Sequence, residues 1–233
     1  MFVKAVGCAV LCSVFILLQG CHNADPSTAA QPADQAEWQW LFDGSSMDAW
    51  MQADGSPLQS PWEIVDGTLV LTAGGGGDIL TRESFGDFEL ELEWQISHGG
   101  NSGIFYRVHS DIRPVWFSGP EYQLLDDANY PAHPDPIQQS ASVFDLYPPT
   151  QSVTKPAGEW NQTRIRIKDQ QVEHWLNGVK VVRFTLGSDD WNRRVANSKF
   201  SDLELFGRLP EGRIALQDHD DVVKFRAIRI RPL

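Results

Sequence analysis

Phe88-Glu89-Leu90-Glu91-Leu92-Glu93-Trp94-Gln95-Ile96 alternates without a break. Phe88, Leu90, Leu92, Trp94 and Ile96 therefore share one face of a half-buried strand, and three glutamates share the other. Arg164-Ile165-Arg166-Ile167-Lys168 alternates in the same way, with cations as its polar set. The two segments are expected to be antiparallel neighbours with acids opposite bases, which makes Glu89, Glu91 and Glu93 a paired surface row and not a catalytic cluster. Further strands are predicted at 62–65, 68–72, 78–81, 103–109, 121–125, 172–176, 179–184, 213–217 and 223–230. Asp66-Gly67, Gly74 to Gly77, Gly99-Gly100, Asn177-Gly178 and Glu211-Gly212 mark turns between them. Asn177-Gly178, flanked by apolar runs, is a two-residue hairpin signal. One short helix is expected around 188–197. Many short strands with few helices point to an antiparallel β-sandwich.

Residues 3–21, VKAVGCAVLCSVFILLQGC, break this pattern. A basic residue, Lys4, precedes a short apolar core closed by a small residue, as in a bacterial export signal. A membrane anchor is the competing reading, but the run is at the short end of the ~17–25 residues a spanning helix needs. The ending Leu18-Gln19-Gly20-Cys21 resembles the lipobox of lipoproteins. That resemblance implies cleavage before Cys21, lipid on its thiol and new amino terminus, and anchoring to a membrane of the cell envelope, at the periplasm or the cell surface. Of the three cysteines, Cys8 and Cys12 would leave with the leader. The mature domain then has no thiol for a disulfide, a Cys-ligated metal or a thiolate nucleophile. Residues 22–36, HNADPSTAAQPADQA, have no aromatic or large aliphatic side chain and read as a flexible tether. A single β-sandwich domain is expected over 37–233. Export separates it from cytosolic nucleotide cofactors. The formal net charge of −12 argues against nucleic acid as a partner and favours neutral ones, although a solubilising surface accounts for most of it.

Ten local strings then carry a resemblance. They are WQWLFDG (38–44), WEIVDGTLVL (62–71), FGDFELELEW (85–94), GGNSGIFYRV (99–108) and GPEYQLLDD (119–127), followed by KPAGEWN (155–161), VEHWLNGVKVV (172–182), SKF (198–200), GRIALQDH (212–219) and VKFRAIRIRPL (223–233). In this order, from Trp38 to Leu233, they resemble the bacterial 3-keto-disaccharide hydrolase family. The resemblance implies a concanavalin-like jelly-roll β-sandwich of two antiparallel sheets. It also implies a carbohydrate-active enzyme, a 3-keto-glycoside hydrolase or lyase, acting on glycosides already oxidised to a ketone at sugar C3. Three positions depart from the family pattern. Phe144 stands where relatives tend to carry Tyr, Asp220 follows His219 where Gly is usual, and Ala227 stands where Asn is usual.

One sheet of a jelly roll offers a polar face to a ligand, and strand parity shows which residues share it. Glu121 and Gln123 share a face; so do Asn101, Gly103, Phe105, Arg107 and His109. Gly103 removes bulk there and is expected to leave room for a sugar ring. If both strands contribute, Asn101, Arg107, Glu121 and Gln123 converge, or Glu121 is simply ion-paired with Arg107. Asp126 adds a carboxylate near the strand end, or caps a turn. Lys155 sits in a loop shaped by Pro156 and Gly158, placed either over the sheet mouth or in solvent. His174 is in phase with Val172 and Leu176, which suits a core histidine as well as a substrate contact. Gln217 and His219 share a face at a strand end. Trp116, just before the Glu121 strand, is the candidate aromatic platform for a ring; Trp94, Trp160 and Trp175 read as core.

A C3 ketone acidifies the C2 hydrogen because the carbanion is an enolate. Proton abstraction, loss of the C1 substituent and hydration then cleave the glycoside. The site needs a base near C2 and a donor or metal at the C3 oxygen. Glu121 is expected as the base or as a ligand in the site, with His219 second. Arg107 or Lys155 is expected to stabilise the enolate. The sequence requires no cofactor; a divalent cation on Glu121, Asp126 and His219 could take the same role, although these residues lack metal-ligand spacing. The oxidised sugar would come from a separate sugar 3-dehydrogenase. Two alternatives stand beside this reading. An ordinary glycoside hydrolase of this fold needs two carboxylates across the bond, often on a Glu-x-Asp-x-x-Glu strand, a pattern absent at 121–127. A carbohydrate-binding lipoprotein needs the platform but no base.

Overall fold

The computed structural model describes residues 1–3 and 36–233. The chain divides into the units Met1–Gln31 and Pro32–Leu233. The leader, Cys21 and the tether up to residue 35 lie outside the described residues. No helix among the described residues is long and apolar enough to cross a membrane.

Thirteen strands are described: β1 (Gln39–Phe42), β2 (Trp50–Gln52), β3 (Trp62–Val65), β4 (Thr68–Leu71), β5 (Ile79–Thr81), β6 (Phe88–Ile96), β7 (Asn101–Val108), β8 (Glu121–Leu125), β9 (Asn161–Lys168), β10 (Gln171–Leu176), β11 (Val179–Thr185), β12 (Arg213–Leu216) and β13 (Val223–Pro232), with one helix, α1 (Asp189–Ala196). The larger sheet runs β11-β10-β9-β6-β13-β4-β3, with β1 also paired to β13; the smaller runs β2-β5-β12-β7-β8. Every pairing is antiparallel. This is the expected two-sheet jelly-roll sandwich. The alternation rule missed β1 and β2. β1 is exposed at its first two residues and buried at the next two, and β2 has only three residues, so neither shows a period of two.

β6 and β9 are neighbours, with Glu89 opposite Arg166 and Glu91 opposite Arg164. β13, on the other side of β6, supplies most of the actual partners. Arg231, Arg229 and Arg226 reach Glu89, Glu91 and Glu93, each at 2.6 Å, while Arg164 adds a contact to Glu89 at 3.2 Å. Glu91 and Glu93 are therefore the paired row expected of them, whereas Glu89 is paired but buried, held by both Arg231 and Arg164. Trp160 and Trp175 belong to this outer layer, contrary to their assignment to the core. Arg226 lies 4.0 Å from the Trp160 ring and Arg164 4.2 Å from the Trp175 ring; a flat ring under a guanidinium replaces core contacts with cation–π attraction.

Between the sheets, Phe88, Leu90, Leu92 and Trp94 of β6 pack with Ile104, Tyr106, Tyr122 and Leu124 of the smaller sheet. The polar atoms carried inward are paired: Trp94 Nε1 donates to Thr163 Oγ1 at 2.9 Å, and Thr163 Oγ1 donates to Tyr122 Oη at 2.9 Å. Asn177 and Gly178 have φ of 50° and 81°, both positive as a primed hairpin turn requires. Two of the departures from the family pattern have the same backbone reason. Asp220 has φ of 65° and Ala227 of 50°, in the left-handed region that Gly and Asn enter most cheaply.

Candidate functional site

β8 is an edge strand of the smaller sheet, and alternation divides its side chains. Tyr122 and Leu124 point into the main core, while Glu121 and Gln123 take the opposite face. The strand is held from outside by the segment 140–147. Ala141 N donates to Gln123 O, Gln123 N to Ser142 O and Phe144 N to Glu121 O, and Ser140 Oγ both accepts from Leu125 N and donates to Leu125 O. This strap brings Phe144 over the outer face.

A second, smaller apolar cluster occupies part of that face. Met51, Leu80, Ala215 and Phe105 lie in one row across β2, β5, β12 and β7, and Val115 from the 109–118 loop packs on them. The loop thus roofs half of the face. The other half is open as a cavity of about 260 Å³, lined by Asn101, Trp116, Glu121, Gln123, Gln217 and His219, with Phe144, Lys199 and Phe200 as its far wall. Six of the residues anticipated from strand parity and motif position converge there.

Gly103 does not leave space for a ring. A Cβ built on it would lie 2.4 Å from Glu121 Oε1. The room left by the missing side chain is filled by the glutamate's own carboxylate, which folds over the neighbouring strand. Among the described residues the Glu121 carboxyl has no hydrogen-bond or ion-pair partner, although the backbone O accepts from Phe144 N. Burial pushes its carboxyl up to about 8; the charge of Asp78 adds to this and that of Lys199 opposes it. Asn101 Oδ1 and Gln217 Oε1 are buried without hydrogen-bond partners. Each is an acceptor whose burial costs about 1–3 kcal/mol unless a donor arrives, and sugar hydroxyls are such donors.

Lys199 is the cation of the site. Its Nζ lies 4.3, 5.2 and 5.7 Å from the rings of Phe144, Phe200 and Trp116. A column of rings seats its segment: Phe184 stacks on Trp191 at 5.3 Å, Trp191 on Phe206 at 5.8 Å, and Phe206 on Phe200 at 4.1 Å. Trp191 is fixed in turn by α1, whose N-cap Ser188 accepts from Trp191 N. Lys199, Phe144 and Phe200 were not among the anticipated site residues. A lone lysine after a helix carries no periodic signal. Its appearance in the short SKF string, and the departure noted at 144, were the available clues. Asp78 was also missed. Burial pushes it up to about 6, with the charge of Asp218 adding to this and the bond from Asp218 N opposing it.

Four anticipated residues lie elsewhere. Arg107 does not meet Glu121. The β7–β12 register slips between Arg213 and Ala215, and Arg107 adopts φ of 54°. This bulge breaks the parity that would have aligned it with Asn101, and its guanidinium binds Gln170 Oε1 at 2.6 Å and Asp87 at 3.5 Å. Asp126 caps a turn, accepting from Gly99 N at 2.8 Å and from Asn129 Nδ2. Although burial raises its carboxyl, these bonds outweigh that and hold it below the usual range. Lys155 donates to Trp160 O at 2.9 Å and borders a separate cleft with Asp126. Glu121, Asp126 and His219 therefore do not form a trio, and no group of three or more His, Cys, Asp or Glu able to hold a metal ion occurs among the described residues.

His174 is a core residue. It is fully buried, with Nδ1 2.9 Å from Ala141 O and Nε2 3.2 Å from Tyr106 Oη. Burial pulls it down to about 4, with the bond to Ala141 O opposing. Because its folded value lies below its unfolded one, its stabilising effect is present above about pH 6.5 and lost as pH falls toward 4. NMR should show its ring as neutral imidazole down to about pH 5; titration between pH 6 and 7 would contradict the buried placement.

Residues 37–231 match the family model of the 3-keto-alpha-glucoside-1,2-lyase-like domain. A 3-keto-disaccharide hydrolase of Bacteroides thetaiotaomicron is 34% identical over 241 residues, covering 90% of this chain and 83% of that protein. A crystal structure from Parabacteroides distasonis, provisionally assigned as a glycosyl hydrolase, superposes with a TM-score of 0.78 at 32% identity, over 84% of this chain and 94% of that one. A second from the same organism, also so assigned, gives 0.68 at 26% identity, over 84% and 100%.

Proposed function

The chain belongs to the 3-keto-alpha-glucoside-1,2-lyase-like family, and from that premise we propose that it cleaves 3-keto-glycosides, among them 3-keto-disaccharides, in the cavity over Glu121. The observation that supports the site is the carboxylate itself. Glu121 is half-buried, its carboxyl is free of ion pairs among the described residues, and it lines the cavity together with Asn101 and Gln217, whose buried amide oxygens lack donors.

In this reading Glu121, once ionised, removes the C2 proton. Its pair becomes the C2–C3 enolate, with negative charge on the C3 oxygen. Lys199, which lines the same cavity, stabilises that charge, in place of Arg107 or Lys155. Collapse of the enolate forms the C1–C2 double bond and expels the C1 oxygen, which leaves with a proton. Water then adds its hydroxyl at C1 and its hydrogen at C2, so the net change is hydrolysis. Asn101, Gln123 and Gln217 accept from or donate to ring hydroxyls, and Trp116 offers its face to the ring's C–H surface. His219, exposed at the rim, is the second candidate for proton transfer. An envelope location through lipid on Cys21, a tether ahead of one domain at 37–233, and supply of substrate by a sugar 3-dehydrogenase complete the proposal.

The test is to incubate the full-length protein with a 3-keto-disaccharide and with the same disaccharide unoxidised. Release of monosaccharide from the oxidised substrate alone is expected. Equal cleavage of both would make it an ordinary glycoside hydrolase. Binding without cleavage of either would make it a carbohydrate-binding protein.

A further inference from the structure

A second cleft, of about 410 Å³, opens beside β2 and is lined by Gln52, Ala53, Asp54, Ser56, Gln59 and Gly76. Its place relative to the Glu121 cavity follows from strand register. Met51, Leu80, Ala215, Phe105 and Glu121 are paired in sequence across the smaller sheet. Two residues further along stand Gly103 and Gln123, paired within β7 and β8, and, just past the ends of β12, β5 and β2, Gln217, Asp78 and Ala53. Gln217 N donates to Gly103 O at 2.9 Å, Asp218 N donates to Asp78 Oδ1 at 3.0 Å, and Ala53 packs on the cluster of Met51 and Leu80, so the three stay beside this face. Gln217 and Gln123 line the first cavity, Ala53 lines the second, and Asp78 stands between them.

The walls are shared as well. The 109–118 loop carries Trp116 into the first cavity, and Arg113 of the same loop binds Ala53 O at the second. Opposite it, the Gly74–Gly77 turn is pressed against the end of β12. Gly77 N donates to Asp218 Oδ2 at 2.8 Å, and a Cβ on Gly74 would lie 2.2 Å from Asp220 Oδ1. From Gln217 to Ala53 the row crosses two strand spacings, about 10 Å, the reach of one further sugar ring and its linkage.

We propose that the second cleft holds the leaving half of the substrate. A disaccharide lies along the row, with its oxidised ring over Gly103 and Glu121, its glycosidic oxygen crossing near Asp78, and its departing sugar over Ala53. This deepens the proposed function and rests on it. The lining chemistry selects the occupant: the amides of Gln52 and Gln59 and the Asp54 carboxylate suit a neutral, hydroxyl-rich ring. Asp54 disfavours an anionic one, such as a uronate.

Ser56→Trp fills the cleft with an indole and keeps both backbone bonds of residue 56, Ser56 N to Asp54 Oδ1 and Gln52 N to Ser56 O. On a 3-keto-disaccharide its kcat/KM should fall ~10-fold or more, because binding energy from the remote ring is lost. On methyl 3-keto-glucoside, which has no second ring, it should stay within about 2-fold of the parent. Gln59→Ala, a truncation that adds no bulk, should show the same selectivity at smaller size and stands in if the tryptophan variant does not fold. Equal losses on both substrates, or no loss on the disaccharide, would overturn the subsite while leaving the activity intact. A parent protein inactive on both substrates would remove the activity and the subsite together.

Discussion

Glu121→Gln should lower turnover of a 3-keto-glucoside by roughly 10²–10⁴-fold, the range a positioned general base supplies, with little change in affinity. The amide keeps the volume of the carboxyl but cannot accept the C2 proton. No ion pair is broken by the change, because Arg107 pairs with Asp87 instead. Parent activity should rise with pH as Glu121 ionises, half-maximal near its raised value of about 8. Thermal melts supply the folding control. The folded state holds the Glu121 proton up to about 8, whereas the unfolded chain loses it near 4.5. The associated stability is therefore full below about pH 4.5 and lost as pH climbs through 8. Gln escapes that loss, so the variant should melt at a higher temperature than the parent at pH 9 and at nearly the same temperature at pH 4. Activity that instead falls through pH 8, with Glu121→Gln largely active, would make Glu121 a protonated donor to the C3 oxygen and pass the base to Asp78.

Gly103→Ala should be nearly as damaging to turnover while touching no reacting atom. The added methyl would fall 2.4 Å from Glu121 Oε1 and 3.0 Å from Cγ and Cδ, so the glutamate must swing aside. The obstacle is the far end of a flexible side chain, and Gly103 does not lie in the left-handed region. The strand should therefore accept the methyl, and the fold should survive. A displacement of ~1 Å at a reacting group can cost about 10²-fold, so a loss of that order in kcat is expected with a cooperative unfolding transition retained. Unchanged kcat would mean that the carboxylate is not used in the pose it adopts over Gly103.

Parity along β8 and β7 was enough to place Glu121, Gln123 and Asn101 on one face and Gln217 with His219 on another; only the pairing of β12 with β7 joins the two. Alternation is a local rule, and these strands obey it. Arg107 shows where it fails: one bulged residue with positive φ reverses the face of everything beyond it, and no composition signal at Tyr106-Arg107-Val108 announces the slip. Lys199 and Phe200 enter the site from a segment about 80 residues beyond Glu121 in the chain. They are positioned by stacked rings whose register is tertiary and carries no sequence period. Asp78 looked like the first residue of a buried strand, and only its cross-sheet alignment with Gln217 connects it to the cavity. Gly103 was correctly picked out as missing bulk, but the occupant of that gap was a neighbouring side chain.

The 140–147 strap does more than deliver Phe144. β8 is the last strand of its sheet, and an uncovered outer edge is a template on which another chain can add a strand. By spending that edge's amides and carbonyls within the molecule, the strap lets the strand of the proposed site sit at the margin, open to a bulky ligand, without recruiting other copies. If these domains are crowded by lipid anchors on a shared surface, local concentration is high and edge-to-edge growth is the prevailing hazard. The geometry that opens the site to substrate then also keeps neighbouring copies separate.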